Sequence, residues 1–253
     1  MRAETADALL RAVLPPWAAG AARVDDVPGP LFAGERVLCA GCGPRREGEF
    51  ATGRWCAHRA LARLGVAPVE VGRGARGEPL WPPGILGSIS HCTGFRAAAV
   101  CRSRDALGLG IDVESDAPLP ARVRSRLIRA EEAMRVRLEP AGERLLFSAK
   151  EAVYKACSAL GGDAATPPLA DIRIEVAPKD HGPGARGRFA ARLPDATGPG
   201  RPVFEGRWHH SHGLVVTSCV IVRADTGEPT TRLAHAVGTP GPPQTRSAWD
   251  SST

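Results

Sequence analysis

The chain has 253 residues, 43% of them hydrophobic, with a formal net charge of +6 and seven cysteines. That much apolar material excludes wholesale disorder, and no apolar run reaches the ~18 residues of a spanning helix, so no membrane association is expected. Met1-Arg2-Ala3-Glu4-Thr5-Ala6-Asp7 carries acids and no long apolar stretch, unlike a signal peptide, and the odd, scattered cysteines read as reduced thiols of a cytoplasmic protein.

Leu9, Leu10, Val13 and Leu14 share one side of an expected amphipathic helix over 3–14, ended by Pro15-Pro16. Cys39-Ala40-Gly41-Cys42 is the one close cysteine pair. With no second ligand pair and no thioredoxin-like context, it reads as packed thiols. Phe50, Ala57, Leu61 and Leu64 predict a helix over 45–64, with Gly65 at the left-handed cap. Gly48 and Gly53 weaken its first turns and move the expected start inward. Strands are predicted at 85–90, 96–101 and 107–114, with Thr93-Gly94 as a turn between the first two.

Ser115-Asp116-Ala117-Pro118-Leu119-Pro120 is the natural linker. Helices are expected over 121–138 and 142–160, then strands at 171–176, 187–192, 203–209 and 213–222. From 224 the periodicity gives way to Thr, Pro, Gly and Ser, which predicts a disordered tail over 224–253. His91-Cys92-Thr93-Gly94 before one apolar strand echoes His210-Ser211-His212-Gly213 before another, a weak hint of two related halves.

Four elements could carry chemistry. In Gly110-Ile111-Asp112-Val113-Glu114, the two carboxylates project from one face of a strand. Such an oxygen-rich pair suits Mg²⁺, although taken alone an ordinary polar strand end is the simpler account. In Phe147-Ser148-Ala149-Lys150-Glu151-Ala152-Val153-Tyr154-Lys155, Glu151 and Lys155 are i,i+4 neighbours on a mostly apolar helix. A surface ion pair is the bland alternative. Only three of the 33 basic residues are lysines, Lys150, Lys155 and Lys179, and two fall in this stretch. That concentration points to a use for a compact ammonium.

Ser90-His91 ends the strand 85–90 with two groups that can donate to a phosphate, though neighbouring strand residues face opposite ways, so they form no dyad. Arg45, Arg46, Arg54, Arg59 and Arg63 line or flank the 45–64 helix, and Arg73 and Arg76 sit in a Gly-rich loop. Guanidinium groups bind phosphates bidentately, yet in so Arg-rich a chain most are expected to be solvated.

Together and in this order, these elements resemble one family. Gly110–Glu114 followed by Phe147–Lys155 is similar to the paired signatures of the 4′-phosphopantetheinyl transferase superfamily. Glu49-Phe50-Ala51-Thr52-Gly53-Arg54, Trp81-Pro82-Pro83-Gly84 and Gly87-Ser88-Ile89-Ser90-His91-Cys92 resemble its enterobactin synthetase component D branch. The resemblance runs over about 45–160. It implies an α+β fold, a pseudo-dimer of two similar subdomains, here 1–115 and 116–223, with the active site in the cleft between them.

The resemblance further implies that Asp112, Glu114 and Glu151 hold Mg²⁺ or Mn²⁺ and that Glu151 and Lys155 are catalytic. Arg54 would grip the 3′-phosphate of coenzyme A, Ser90 and His91 would meet phosphates, and Lys150, Arg73 and Arg76 would surround the nucleotide. Relatives carry basic residues directly before the Glu-Phe pair, whereas Glu47-Gly48 intervene here, so either Arg45 or Arg46 could reach the ligand.

The implied activity is transfer of phosphopantetheine from coenzyme A, the substrate, to a serine of an apo acyl or peptidyl carrier protein, by a monomer. Polyketide, nonribosomal peptide, siderophore and fatty acid synthesis all use such carriers. The alternatives are a coenzyme A-binding homologue without turnover and a basic nucleic-acid module. The second predicts clustered aromatics, which one Tyr and six Phe do not supply; no nucleic-acid partner is expected.

Overall fold

The computed structural model describes residues 3–26, 29–136, 141–160, 166–177, 184–193 and 203–222. The expected tail lies outside the described residues. The first half carries helices α1 (Ala3–Val13), α2 (Ala33–Cys39) and α3 (Pro44–Arg63), strand β1 (Ala19–Arg23), the short pair β2 (Gly72–Arg73) and β3 (Pro79–Leu80), and strands β4 (Ile85–Cys92) and β5 (Phe95–Arg102). Then follow β6 (Gly108–Ser115), α4 (Ala121–Leu127), α5 (Ala130–Arg135), α6 (Gly142–Cys157), β7 (Arg173–Val176), β8 (Arg186–Arg192), β9 (Val203–Ser211) and β10 (Leu214–Val222).

Besides the two-stranded β2-β3 pair, two larger antiparallel sheets form among the described residues, one ordered β1-β5-β4 and the other β6-β10-β9-β8-β7. Period-2 alternation divides the core. From β5, Phe95, Ala97, Ala99 and Cys101 join α1 and the β6 residues Leu109, Ile111 and Val113 between the two sheets. Ala98 and Val100 face the other way and pack on Cys56, Ala57, Ala60 and Leu61 of α3. On the outer face of the second sheet, Leu145, Leu146, Ala149, Ala152 and Val153 of α6 cover Val215, Cys219, Phe189 and Trp208. Small Ala side chains on β5 let three layers approach from both sides.

The same pattern appears twice. In each sheet a first strand pairs with the last, β1 with β5 and β6 with β10, and the last strand forms a hairpin with its predecessor. Each sheet has a helix on its outer face. Both hairpin turns use left-handed glycines, Gly94 at φ +73° and Gly213 at φ +70°. The sequence echo is therefore a pair of equivalent turns.

Several boundaries differ from the sequence reading. Strand β6 pairs with β10, so the seam between the halves falls before Gly108 and not at the 115/116 linker. Helix α3 begins at Pro44, whose missing N–H costs nothing at the first helical position, so Gly48 and Gly53 do not delay it. The expected 121–138 helix breaks at Ile128, which is extended. The break turns Glu132 inward, where it accepts from Lys150 Nζ at 2.9 Å and the Ile174 main-chain N–H at 3.0 Å. Strand β1 and helix α2 were not anticipated: Ala19-Gly20-Ala21-Ala22-Arg23 has no β-branched residue, and pairing with β5 defines it.

Gly108 and Gly110 share the α6-facing side of β6. A Cβ on Gly110 would overlap the Ala152 carbonyl oxygen and lie 2.6 Å from the Ala156 nitrogen. These are helix backbone atoms, which cannot rotate aside. Gly110→Ala should therefore destabilise the protein by about 3 kcal/mol, at the upper end of overpacking costs, measured as a shifted urea midpoint with unchanged slope.

Candidate active site

The glycines that admit α6 are followed on the same face of β6 by Asp112 and Glu114. Opposite them α6 presents Arg144, Ser148, Glu151 and Lys155, spaced four, three and four residues apart and hence one stripe of the helix. Lys155 Nζ donates to Asp112 Oδ1 at 2.6 Å and to Ser90 Oγ at 3.2 Å. Ser90 Oγ in turn donates to Asp112 Oδ1 at 2.9 Å and accepts the Val113 N–H at 3.2 Å. The hydroxyls of Ser88 and Ser90 thus tie strand β4 of the first half to β6 of the second. Arg144 Nη1 donates to Glu114 Oε2 at 2.9 Å, and its other nitrogens hold the Ala117 and Pro118 carbonyls of the linker.

Asp112 is 3% exposed, and its Oδ2 has no hydrogen-bond partner among the described residues. Burial and the neighbouring Asp112 charge push the Glu114 carboxyl up to about 7, against the pull of Arg144 and Lys155. Burial also raises Glu151; Lys155 opposes that rise and Asp112 adds to it. No three His, Cys, Asp or Glu side chains among the described residues form a ready cage. Still, Asp112 repels both Glu114 and Glu151, and its orphaned buried oxygen with those carboxyls makes a donor set that fits a hard divalent cation. Lys155 and Arg144 bring positive charge to Asp112 and Glu114.

On the other side of β4 a second site opens. Arg46, Phe50, Arg54, Arg73, Ile89 and His91 line a cavity of about 170 Å³. Arg54 is buried, stacks 4.6 Å from the Phe50 ring centroid and donates to the Gly72 carbonyl at 3.1 Å. Burial lowers its pKa, Glu35 opposes this, and Arg73 and Arg46 lower it further. His91 Nε2 lies 3.3 Å from Arg46 Nη1. Burial and then the Arg46 charge lower the His91 pKa, which favours the neutral ring. Glu49 is pushed up by burial, but Arg45, His91 and Arg96 outweigh this and hold it below its ordinary value. Three guanidinium groups and one carboxylate, Glu49, line this small space, an excess of positive charge that suits an anion.

Most candidate residues therefore fall into two clusters on one strand. Ser90 faces Asp112 and Lys155, and His91 faces Arg46, as strand alternation requires. Arg46 lines the cavity, whereas Arg45 is 81% exposed; both pair with Glu49. Arg76 is exposed, with its main-chain N–H on Glu78, and the cavity lining includes Arg73 instead. Lys150 is a correction. It is fully buried and bonded to Glu132 and the Ile172 carbonyl, because five residues carry it about 140° round α6 from Lys155. It anchors the second half and does not surround a nucleotide. Sequence reasoning missed Arg144, whose spacing to Ser148, Glu151 and Lys155 was a readable stripe, and Glu35 and Arg96, for which no local signal exists.

Comparison with known proteins identifies the family. The 4′-phosphopantetheinyl transferase N-terminal domain matches residues 34–101, and the 4′-phosphopantetheinyl transferase superfamily matches residues 108–197. 4′-Phosphopantetheinyl transferase Svp of Streptomyces mobaraensis is 41% identical over 228 residues, 84% of this chain and 89% of that protein. 4′-Phosphopantetheinyl transferase PptT of Mycobacterium tuberculosis is 38% identical over 195 residues, 74% of this chain and 84% of its own. Enterobactin synthase component D of Salmonella typhimurium is 37% identical over 122 residues, covering 46% of this chain and 50% of that protein. The two matched regions meet at the seam where β4 and β6 bring the carboxylates and the arginines together, and the chain belongs to the 4′-phosphopantetheinyl transferase superfamily.

Proposed function

We propose that this chain transfers the 4′-phosphopantetheine group of coenzyme A to a serine of an apo carrier protein and releases 3′,5′-ADP. One observation carries the reading: strand β4 separates an arginine-lined anion cavity from a buried carboxylate–lysine cluster, so one ligand with two phosphate-bearing ends can span both. Coenzyme A is such a ligand. Arg46, Arg54, Arg73 and His91 would bind its 3′-phosphate, leaving the pyrophosphate beside Lys155.

Asp112, Glu114 and Glu151 would hold Mg²⁺ or Mn²⁺. A bound divalent cation supplies charge that offsets the negative charge building on the pyrophosphate. Glu151, whose pKa burial raises, would take the proton of the carrier serine. The serine Oγ forms a bond to the β-phosphorus while the bond to the bridging oxygen breaks. The Lys155 ammonium stabilises that oxygen on the departing 3′,5′-ADP. Ser90 fixes Lys155 and Asp112 in register.

Both halves of the site lie in one chain, which supports a monomeric enzyme. Seven free cysteines support a reducing, cytoplasmic setting. Among the described residues no helix is long and apolar enough to cross a membrane. The carriers of polyketide, nonribosomal peptide, siderophore and fatty acid synthesis are the candidate acceptors.

With coenzyme A, Mg²⁺ and an apo carrier protein, the wild-type chain should add a phosphopantetheine mass to the carrier, and Asp112→Ala should slow this by at least about 100-fold. Near wild-type labelling by Asp112→Ala would sink the assignment, and no labelling by the wild type across a carrier panel would favour a homologue without turnover. A net charge of +6 suits an acidic carrier, so added salt should raise the KM for carrier and leave kcat nearly unchanged.

Glu114 gives a pH signature in metal-free protein. A carboxyl raised from 4.5 to about 7 binds more protons folded than unfolded, so its contribution to stability falls as pH rises through that window. Thermal melts in EDTA should show this slope in the wild type and a shallower one in Glu114→Gln. Mg²⁺ should raise the melting temperature more above pH 7 than below it.

A further inference from the structure

Behind the arginine-lined cavity stands a carboxylate that the proposed reaction does not use. Glu35, in the first turn of α2, has no exposed surface. Its Oε1 accepts the Val71 N–H at 3.0 Å and lies 2.8 Å from His58 Nε2, while Oε2 accepts the Phe32 N–H at 3.0 Å. Arg54 Nε stands 3.9 Å from the same Oε1, and Arg54 Nη2 donates to the Gly72 carbonyl. Glu35 therefore joins α2, α3 and the Val71–Arg73 segment, and two of those elements deliver Arg54 and Arg73 to the cavity.

The charges explain why a carboxylate belongs there. Arg46, Arg54 and Arg73 converge on one small cavity and repel one another, most severely for Arg54, which is buried. Glu49 is engaged by Arg45, Arg46 and Arg96, which leaves Glu35 as the counter-charge against Arg54. A buried carboxylate is costly unless its oxygens are satisfied, and His58 together with two main-chain N–H groups satisfies them.

We propose that Glu35, held by His58, is a positioning residue: it fixes Arg54 and the Val71–Arg73 segment in the geometry that grips the donor's 3′-phosphate and so sets the preference for a 3′-phosphorylated nucleotide. The proposal rests on reading the cavity as the 3′-phosphate site. A merely structural Glu35 would weaken every nucleotide alike, whereas a positioning Glu35 affects one phosphate.

The test is calorimetric titration with 3′,5′-ADP and with 5′-AMP, which differ only in that phosphate. The wild type should bind 3′,5′-ADP more tightly, and Arg54→Ala should abolish the difference. Glu35→Gln should weaken 3′,5′-ADP by about tenfold, the scale of one charge-assisted hydrogen bond, and leave 5′-AMP within about twofold. Equal weakening of both ligands, or unchanged 3′,5′-ADP binding, overturns the role of Glu35 while the Arg54→Ala result still upholds the cavity. A wild type that does not distinguish the two ligands overturns the cavity reading and this inference with it. Should Glu35→Gln fail to fold, His58→Ala decides by the same comparison, with selective loss supporting the proposal and uniform or absent loss overturning it.

Discussion

The contact on which the structure depends is the close approach of α6 to β6 across Gly108 and Gly110. Helix backbone rests where side chains would normally stand, so the next residues on that face, Asp112 and Glu114, meet the helix without intervening bulk. Lys155 and Arg144 reach those carboxylates with their charged ends because the stripe that bears them lies over the strand. A Cβ at either glycine would lift the helix and separate the charges. The site is thus a consequence of backbone packing first and of side-chain chemistry second.

The second constraint is the seam between the halves. Ser88 and Ser90 reach the backbone of β6 with hydroxyls, and Arg144 closes the linker with three hydrogen bonds, one to a site carboxylate and two to main-chain carbonyls. Linker, seam and site carboxylates are therefore held by shared atoms. Buried charges are paired: Lys150 with Glu132 and Arg54 with Glu35 are buried on both sides, while buried Arg96 meets the exposed Asp26 and buried Asp112 meets the partly buried Lys155. Paired in this way, buried charges favour one arrangement of neighbouring elements, since removing either partner strands the other. Asp112 Oδ2 has no hydrogen-bond partner among the described residues, whereas both oxygens of Glu132 and of Glu35 are bonded.

Much of this was legible. The strand Gly108–Ser115 and the helix Gly142–Cys157 announced themselves by periodicity, and the face shared by Asp112 and Glu114 follows from strand alternation alone. The separation of Ser90 from His91 was legible for the same reason. Strand β1 was not, because its Ala-rich sequence has no intrinsic β preference. The break at Ile128 was not, because it is stabilised by Glu132 bonding to Lys150 and to Ile174, both remote in sequence. The two lysines of α6 part ways: Lys150 bonds Glu132 and the Ile172 carbonyl in the core, and Lys155 bonds Asp112 and Ser90.

By itself the sequence determined which residues share a face and which motifs occur together, because 3.6-residue and 2-residue periodicities are local properties of the backbone. It thereby identified the family signatures. Only the tertiary structure decided that Lys150 turns away from Asp112, that Arg46 and not Arg45 lines the cavity, that Glu35 stands behind Arg54, and that Arg144 reaches Glu114. Those outcomes depend on which distant charge is within hydrogen-bond reach of a buried side chain, and only the packed fold fixes that distance.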